Sequence, residues 1–306
     1  MITRKNLTRP SLVAGILIVL LLAAVALAAP LIAPTPEGEE PGIVPRYGYS
    51  PVPTPPSAEH PLGLMSKQYD VLYGLVWGAR RAFRAGLLVT GARLLIGVLL
   101  GLVAGYQGGW LDALLMRLTD GFLSFPIVAA AMVMVSLYGV EFYINPRGIA
   151  HLMPARQESI VMGALVVFGW MSYARLIRGN VLAEREKEYI QAARATGVRG
   201  GRMLFRHLLP NVTQGLFVMA ASDVGAVVVL LATFAFIGLF TSPFGFMETD
   251  WGQMLTAGKD WIVGASQGLL EYWYVYLPVS AAIVLFSMGW NLIGDGLRDA
   301  LDPRLR

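Results

Sequence analysis

The stretch Glu184-Arg-Glu-Lys-Glu-Tyr-Ile-Gln-Ala-Ala-Arg-Ala-Thr-Gly197 concentrates the residue types that recognise another surface. It reads as a charged, alanine-rich helix stopped by Gly197, the residue type that most readily adopts the left-handed geometry of a helix end. A second short helix, about Gly201 to Leu209, follows and is ended by Pro210. Charged flanks hold the pair in water. Ala192 and Ala193 are small enough for close approach by a partner. Two readings stand at this point: a helix pair inserted into a partner's groove, or a solvated loop that only connects its neighbours. His207 precedes Leu208-Leu209-Pro210, and a hydrogen bond capping the loop suits it better than a proton relay.

Arg93 and Asp223 each interrupt a long apolar run. A charge inside a membrane is costly unless it is paired or faces water, so the pair is expected to bridge spans or line a polar pathway. Snorkelling to the boundary is the plainer alternative. Gly97, Gly101, Gly105 and Gly109 recur every fourth residue, which suits backbone-to-backbone helix contact better than a pathway lining. Covalent chemistry finds little support. There is no Cys, which excludes disulfides, thiol catalysis and Cys-ligated metals. His60, His151 and His207 are too scattered to suggest a metal site. No G-x-x-x-x-G-K-[ST] phosphate loop exists, so the chain does not hold ATP in that way. No catalytic residue, metal ligand or bound cofactor is therefore assigned.

The elements that position these residues follow from composition. Of 306 residues, 56% are hydrophobic and 14% charged, and 34 are Gly. An ordinary soluble domain is about a quarter charged, so composition argues against a water-soluble enzyme and for an all-α, multi-span membrane protein. Six apolar segments approach the roughly 20 residues that a span needs. They run about 12–32, 86–106, 122–139, 160–182, 212–240 and 272–293. The first has a basic start and an Ala26-Leu-Ala28 pattern, but its apolar run exceeds a signal core, so it is expected to stay as a span. Orientation follows the Lys/Arg bias. With both termini inside, fifteen of the 24 Lys and Arg fall on inner segments, eight on outer ones, and Arg93 within a span. Arg80, Arg81 and Arg84 go against the bias and are assigned to a short helix at the outer membrane surface. Residues 34–61 carry nine Pro and are expected to be extended. Residues 241–271, with Trp251 and Trp261, form a second outer loop, partly helical over the pore mouth. Tyr272, Trp273, Tyr274 and Tyr276 read as an aromatic belt. The chain thus divides into residues 1–33 as a first span, 34–85 as an extracytoplasmic segment with a surface helix, and 86–306 as a five-span core. The inner loop 183–211 belongs to that core.

Glu188-Tyr-Ile-Gln-Ala-Ala-Arg-Ala-Thr-Gly197 followed by His207-Leu-Leu-Pro-Asn211 resembles the "EAA" loop of permeases from binding-protein-dependent ABC importers. Further segments are similar to the second, C-type permease of the dipeptide/oligopeptide importers. They are His60-Pro-Leu-Gly63, Gly105-Tyr-Gln-Gly-Gly-Trp-Leu-Asp112 with Met116, Arg117 and Asp120, then Pro126 and Trp251-Gly252, and the tail Asn291-Leu-Ile-Gly-Asp-Gly-Leu-Arg-Asp-Ala-Leu-Asp-Pro303. The resemblance spans about residue 60 to the end. The sequence departs from the pattern at Leu64–Asp70, at Ile237–Phe240 and in a longer stretch at 141–158, all towards the outside.

The resemblance implies the type I importer permease fold in the cytoplasmic (inner) membrane. It implies a second permease subunit, usually unlike this one, two ATPase subunits that carry ATP and Mg, and an extracytoplasmic substrate-binding protein. It implies that Glu188, Tyr189, Ala192, Ala193, Gly197, Arg202, His207 and Pro210 belong to the element that couples to the ATPases. Peptides are the implied cargo; oligosaccharides and nickel chelates are carried by related permeases. An ion-coupled secondary transporter would need matched repeat halves, and none relates residues 1–150 to 151–306. A membrane enzyme lacks a nucleophile–base pair, and no nucleic-acid partner is expected.

Overall fold

The computed structural model describes residues 9–144, 150–154, 157–213, 215–239, 246–263 and 270–301. Expectations for Arg4, Lys5, Arg147, Arg156, for residues 240–245 and 264–269, and for the tail beyond Leu301 lie outside the described residues.

Pro10 sits in the first turn of α1 (Pro10–Leu27), where its missing N–H costs nothing. A break at Ala28 leads into the single turn α2 (Ala29–Ile32). The proline-rich stretch that follows contains no helix until a 3-10 turn at Ser66–Gln68. Bridges Ile43 to Glu248, Arg46 to Tyr69 and Thr54 to Leu64 hold it down. Asp70 then starts α3 (Val71–Gln107) by accepting from the Tyr73 N–H at 2.8 Å. His60 braces the same carboxylate at 2.8 Å. Here the expectation is corrected. Arg80, Arg81 and Arg84 lie within α3 itself and not on a separate surface helix. At 1.5 Å per residue α3 is about 55 Å long, against about 30 Å of hydrocarbon. The helix is longer than the apolar layer is thick, so an apolar window sees only part of it.

Gly108 ends α3 at φ +66° and α4 (Gly109–Leu123) begins at once. The third span also differs from expectation. Pro126 cannot continue α4, so a new helix α5 (Ile127–Tyr138) starts after a bend of 85°. An antiparallel hairpin, β1 (Val140–Ile144) with β2 (Ala150–Pro154), occupies the stretch that was longer than the family pattern. The fourth span is broken too, into α6 (Gln157–Val167) and α7 (Met171–Glu184). The inner loop contains α8 (Glu188–Ala195), a π-helical turn Met203–Leu208 and α9 (Leu209–Val212). Pro210 lies in the first turn of α9 and does not end the second helix as expected. The chain finishes with α10 (Leu216–Phe236), α11 (Trp251–Val263) and α12 (Trp273–Leu301). Five helices or helix pairs are long and apolar enough to span, and six if the bent pair α4–α5 counts as one.

α3 packs along α7, α12 along α1 and α10, and α5 along α6. Three layers of buried side chains follow from this. The outer one joins Tyr73, Trp77, Trp251, Met254 and Phe286. Tyr274 is buried there as well, so the aromatic belt keeps Trp273 and loses Tyr274 to the core. α11 is likewise no loose cover: Trp251 donates its Nε1–H to the Leu75 carbonyl at 3.0 Å. The middle layer joins Val89, Leu165, Leu231 and Phe234. The inner one joins Leu102, Ile177 and Val181 to Ile190, Met203 and Leu208 of the inner loop.

Candidate functional site

Ile190, Met203 and Leu208 decide between the two readings of the inner loop. All three are fully buried against α3 and α7, so the loop is a packed unit and not a slack connector. Its start is clamped to the last residue of α7. Tyr189 donates its hydroxyl to Glu184 Oε1 at 2.6 Å, and Lys187 Nζ lies 2.8 Å from Glu184 Oε2. Burial and then the bond to Glu184 push the Tyr189 phenol up to about 12. Glu188 occupies the first turn of α8, where the helix dipole favours a negative charge.

The end of α8 is equally defined. Gly197 takes φ +87°. Its N–H reaches the Arg194 carbonyl and the Val198 N–H the Ala193 carbonyl, both at 3.0 Å. This pair of bonds closes a helix through a left-handed residue. Gly200 N–H then donates to the Tyr106 hydroxyl at 3.3 Å, which ties the turn to α3. Arg185 Nη1 donates to the Gly105 carbonyl at 3.2 Å. Arg178 grips Asp112 on α4, its Nη2 at 2.7 Å from Oδ2, and Arg175 pairs with Asp120.

Of the residues singled out in the loop, Glu188, Tyr189, Ala192, Gly197, Arg202 and Pro210 are exposed. Ala193 is half-buried against the inner layer, so of the two adjacent alanines it is Ala192 that faces outward. His207 contributes its carbonyl, which accepts from Asn211 Nδ2 at 2.7 Å. Its ring makes no hydrogen bond among the described residues. Arg202 has no carboxylate partner among them, and Phe205 is exposed beside it.

The structure places the intramembrane charges together. Arg93 is 4% exposed, and its Nη1 lies 2.8 Å from Asp223 Oδ1. Tyr173 donates to the other carboxylate oxygen at 3.0 Å. Arg93 Nε donates to the Leu165 carbonyl at 2.7 Å. The arrangement joins α3, α6, α7 and α10 inside one chain, with Arg93 buried and the Asp223 side chain 18% exposed. Gly97, Gly101 and Gly105 form the seam with α7. A Cβ on Gly101 would sit 2.5 Å from the Ala174 carbonyl, and one on Gly105 would sit 2.7 Å from Val181 Cβ. Gly109 is not part of the seam: it takes φ +62° at the α3–α4 turn and a Cβ there would meet nothing within 4 Å.

Sequence reading missed the outer counterpart of this cluster. Arg81 pairs with Glu158 at the start of α6 and with Glu248, and Asp250 lies close by. Asp250 caps α11 by accepting from the Gln253 N–H at 2.8 Å. Burial, with Glu158 and Glu248 nearby and against the pull of Arg81, pushes its carboxyl up to about 6. A cavity of about 20 Å³, room for about one water, is lined by Arg81, Glu158 and Asp250. Nothing at spacings of three or four residues announces these pairings, because the members come from three separate places in the chain: Arg81 on α3, Glu158 on α6, and Glu248 and Asp250 just before α11.

Residues 97–306 match the family model described as the inner membrane component of binding-protein-dependent transport systems. The chain is 34% identical over 251 residues to a dipeptide transport system permease protein of Alkalihalophilus pseudofirmus, covering 82% of this chain and 74% of that one. It is 33% identical over 303 residues to a glutathione transport system permease protein of Pectobacterium atrosepticum, covering 99% and 90%. It is 30% identical over 302 residues to an oligopeptide transport system permease protein of Bacillus subtilis, covering 95% and 85%. Together with its apolar helices, these matches make the chain a multi-pass transport subunit that belongs to the family of binding-protein-dependent inner-membrane permeases.

Proposed function

We propose that this chain forms, with a second permease subunit, the pathway of an ATP-driven importer of peptides. Two separate ATPase subunits bind ATP and Mg below it, and an extracytoplasmic binding protein delivers the peptide from above. The observation that carries the coupling is the inner loop. α8 is clamped at both ends, anchored by Ile190, and turned outward at Glu188 and Ala192, with Arg202 exposed just beyond it. A unit built this way moves as a rigid body, so closure of a partner groove around it reaches α3 and α7 without loss. Peptide cargo is supported by the named cargo of three relatives, dipeptides, oligopeptides and glutathione, which share amide bonds and charged ends.

The test is reconstitution of the complete complex with its binding protein. Labelled dipeptides, tripeptides, an oligosaccharide and a nickel chelate are offered at equal concentration. Binding and ATP-dependent uptake of peptide supports the reading. Uptake of the sugar or the chelate alone would keep the architecture and replace the cargo.

A further inference from the structure

One helix pair of this chain is bent by 85°, one span is interrupted for three residues, and the two places touch. α4 gives way to α5 at Ser124–Pro126, and α6 to α7 at Phe168–Trp170. Phe122 packs edge-on against Phe168 with ring centroids 5.3 Å apart and approaches Trp170 at 6.1 Å; Phe125 lies 6.2 Å from Phe168. Among the described residues, α5, the β1–β2 hairpin and α6 lie between the breaks, and α5 packs along α6. The chain therefore contains an arm of two helices and a hairpin, bounded by two adjacent non-helical links and packed through Val161, Ala164 and Leu165 against Val89 of α3 and Leu231 of α10.

The links differ from an accidental kink in what holds them. At the second break the helical ladder is interrupted: Gly169 N–H reaches the Val166 carbonyl at 3.3 Å, which leaves the Leu165 carbonyl without its usual partner. Arg93 Nε takes that carbonyl at 2.7 Å. Gly169 makes room for it, since a Cβ there would lie 2.5 Å from Arg93 Cζ. Through Asp223 the same guanidinium holds α10. Arg93 Nη2 and Thr90 Oγ1, one helical turn apart, are buried without partners. The guanidinium is thus incompletely satisfied in this arrangement, unlike a pure stitch, in which buried donors are matched. A second tether holds the far end of the arm, where Glu158 at the start of α6 meets Arg81 of α3.

We propose that α5, the hairpin and α6 swing as one arm about the aligned breaks during transport, and that Arg93 at the hinge and Arg81 at the tip latch the arm in the arrangement seen here. Arg93 is then a positioning residue: it touches no cargo and sets which arm position is populated. The inference rests on the chain being a permease and does not depend on peptides being its cargo.

The test uses the full complex with cysteine-free partner subunits, since this chain has no Cys of its own. Spin labels at Ser159→Cys on the arm and Gly179→Cys on α7 report the angle across the break. Labels at Leu95→Cys and Gly179→Cys report the α3–α7 body, which is continuous. The arm distance is expected to change on adding loaded binding protein and a non-hydrolysable ATP analogue, while the body distance holds. Asp223→Asn and Glu158→Gln are expected to raise the nucleotide-free population of the second distance by about tenfold, the scale of one coupled pair. They are also expected to raise ATP hydrolysis without binding protein, which a merely structural role would not do. If Asp223→Asn fails to assemble, Glu158→Gln, at the arm tip, carries the test. An arm distance that stays fixed in every nucleotide state overturns the hinge. Variants that leave both populations and basal hydrolysis unchanged overturn the latch. Peptide uptake is scored separately, so a wrong cargo and a rigid arm give different results.

Discussion

Gly101 carries a hydrogen where a methyl would stand 2.5 Å from the Ala174 carbonyl, whereas a Cβ on Gly91, on the same helix, would meet nothing within 4 Å. Gly101→Ala is therefore expected to push α3 off α7 and cost about 1–3 kcal/mol. Gly91→Ala should be neutral or gain about 0.5–1 kcal/mol through helix propensity. Melting of the purified complex in detergent checks the pair; equal effects would remove the seam from the account. The charge cluster makes a second prediction at this scale. Arg93→Ala and Asp223→Ala are each expected to impair assembly and uptake. The double variant should lose less than the sum, by about 1–3 kcal/mol of coupling, because either single change strands a buried charge. Additive losses would mean that the pair is not an energetic unit. Arg93 and Asp223 stood out in the sequence because charges are rare in apolar runs. Tyr173, Leu165 and Gly169, which complete the cluster, did not. A tyrosine, a backbone carbonyl and a glycine inside a span have many commonplace roles, and only the fold shows that they meet the guanidinium.

The helices show the same boundary between what composition reveals and what contact decides. Span positions follow from hydropathy, so α1, α10 and α12 are legible. The breaks at Ser124–Pro126 and Phe168–Trp170 are not, because Phe, Gly and Trp continue the apolar run while the backbone leaves the helix. α3 extends fifteen residues beyond the expected start because Arg80, Arg81 and Arg84 end the apolar window without ending helical propensity. The turn of α8 was legible, since Gly197 marks it directly. Gly197→Val, forced to φ +87°, is expected to unlatch α8 and lower substrate-stimulated ATP hydrolysis by about tenfold, with binding-protein affinity unchanged. Normal stimulation in that variant would remove α8 from the coupling path. At the outer end, the Asp250 carboxyl is held near 6, above its ordinary value. A raised carboxyl favours the folded state while protonated, so its contribution is full below about pH 4 and is lost as the pH rises through about 6. Asp250→Asn keeps an acceptor for the Gln253 N–H. It is expected to flatten the fall in melting temperature between about pH 4 and 6; an unchanged profile would mean that another group sets it.

The whole molecule places its polar work at three levels joined by one helix. α3 runs from the Arg81 cluster through Arg93 to the Gly105 carbonyl and Tyr106 that hold the inner loop. The proposed coupling sends a displacement of α8 along this continuous rod, with the proposed arm beside it supplying the movement. The Lys/Arg bias predicts the sense of this axis, with α8 inside and residues 34–70 outside. Single cysteines at Ser57 and at Thr196 should therefore differ, the first reacting with an impermeant thiol reagent in intact cells and the second not. The reverse pattern would invert the axis. The central claim is that the unit at residues 183–211 converts ATP hydrolysis on partner subunits into peptide movement through this chain. Its most direct measurement is ATP-driven uptake of a labelled peptide in proteoliposomes holding the complete complex, in parallel for the native chain and Gly197→Val. The account predicts accumulation by the native complex that requires both ATP and the loaded binding protein, and loss of accumulation in the variant with its subunits still assembled. Undiminished, ATP-dependent peptide uptake by the Gly197→Val complex would contradict it.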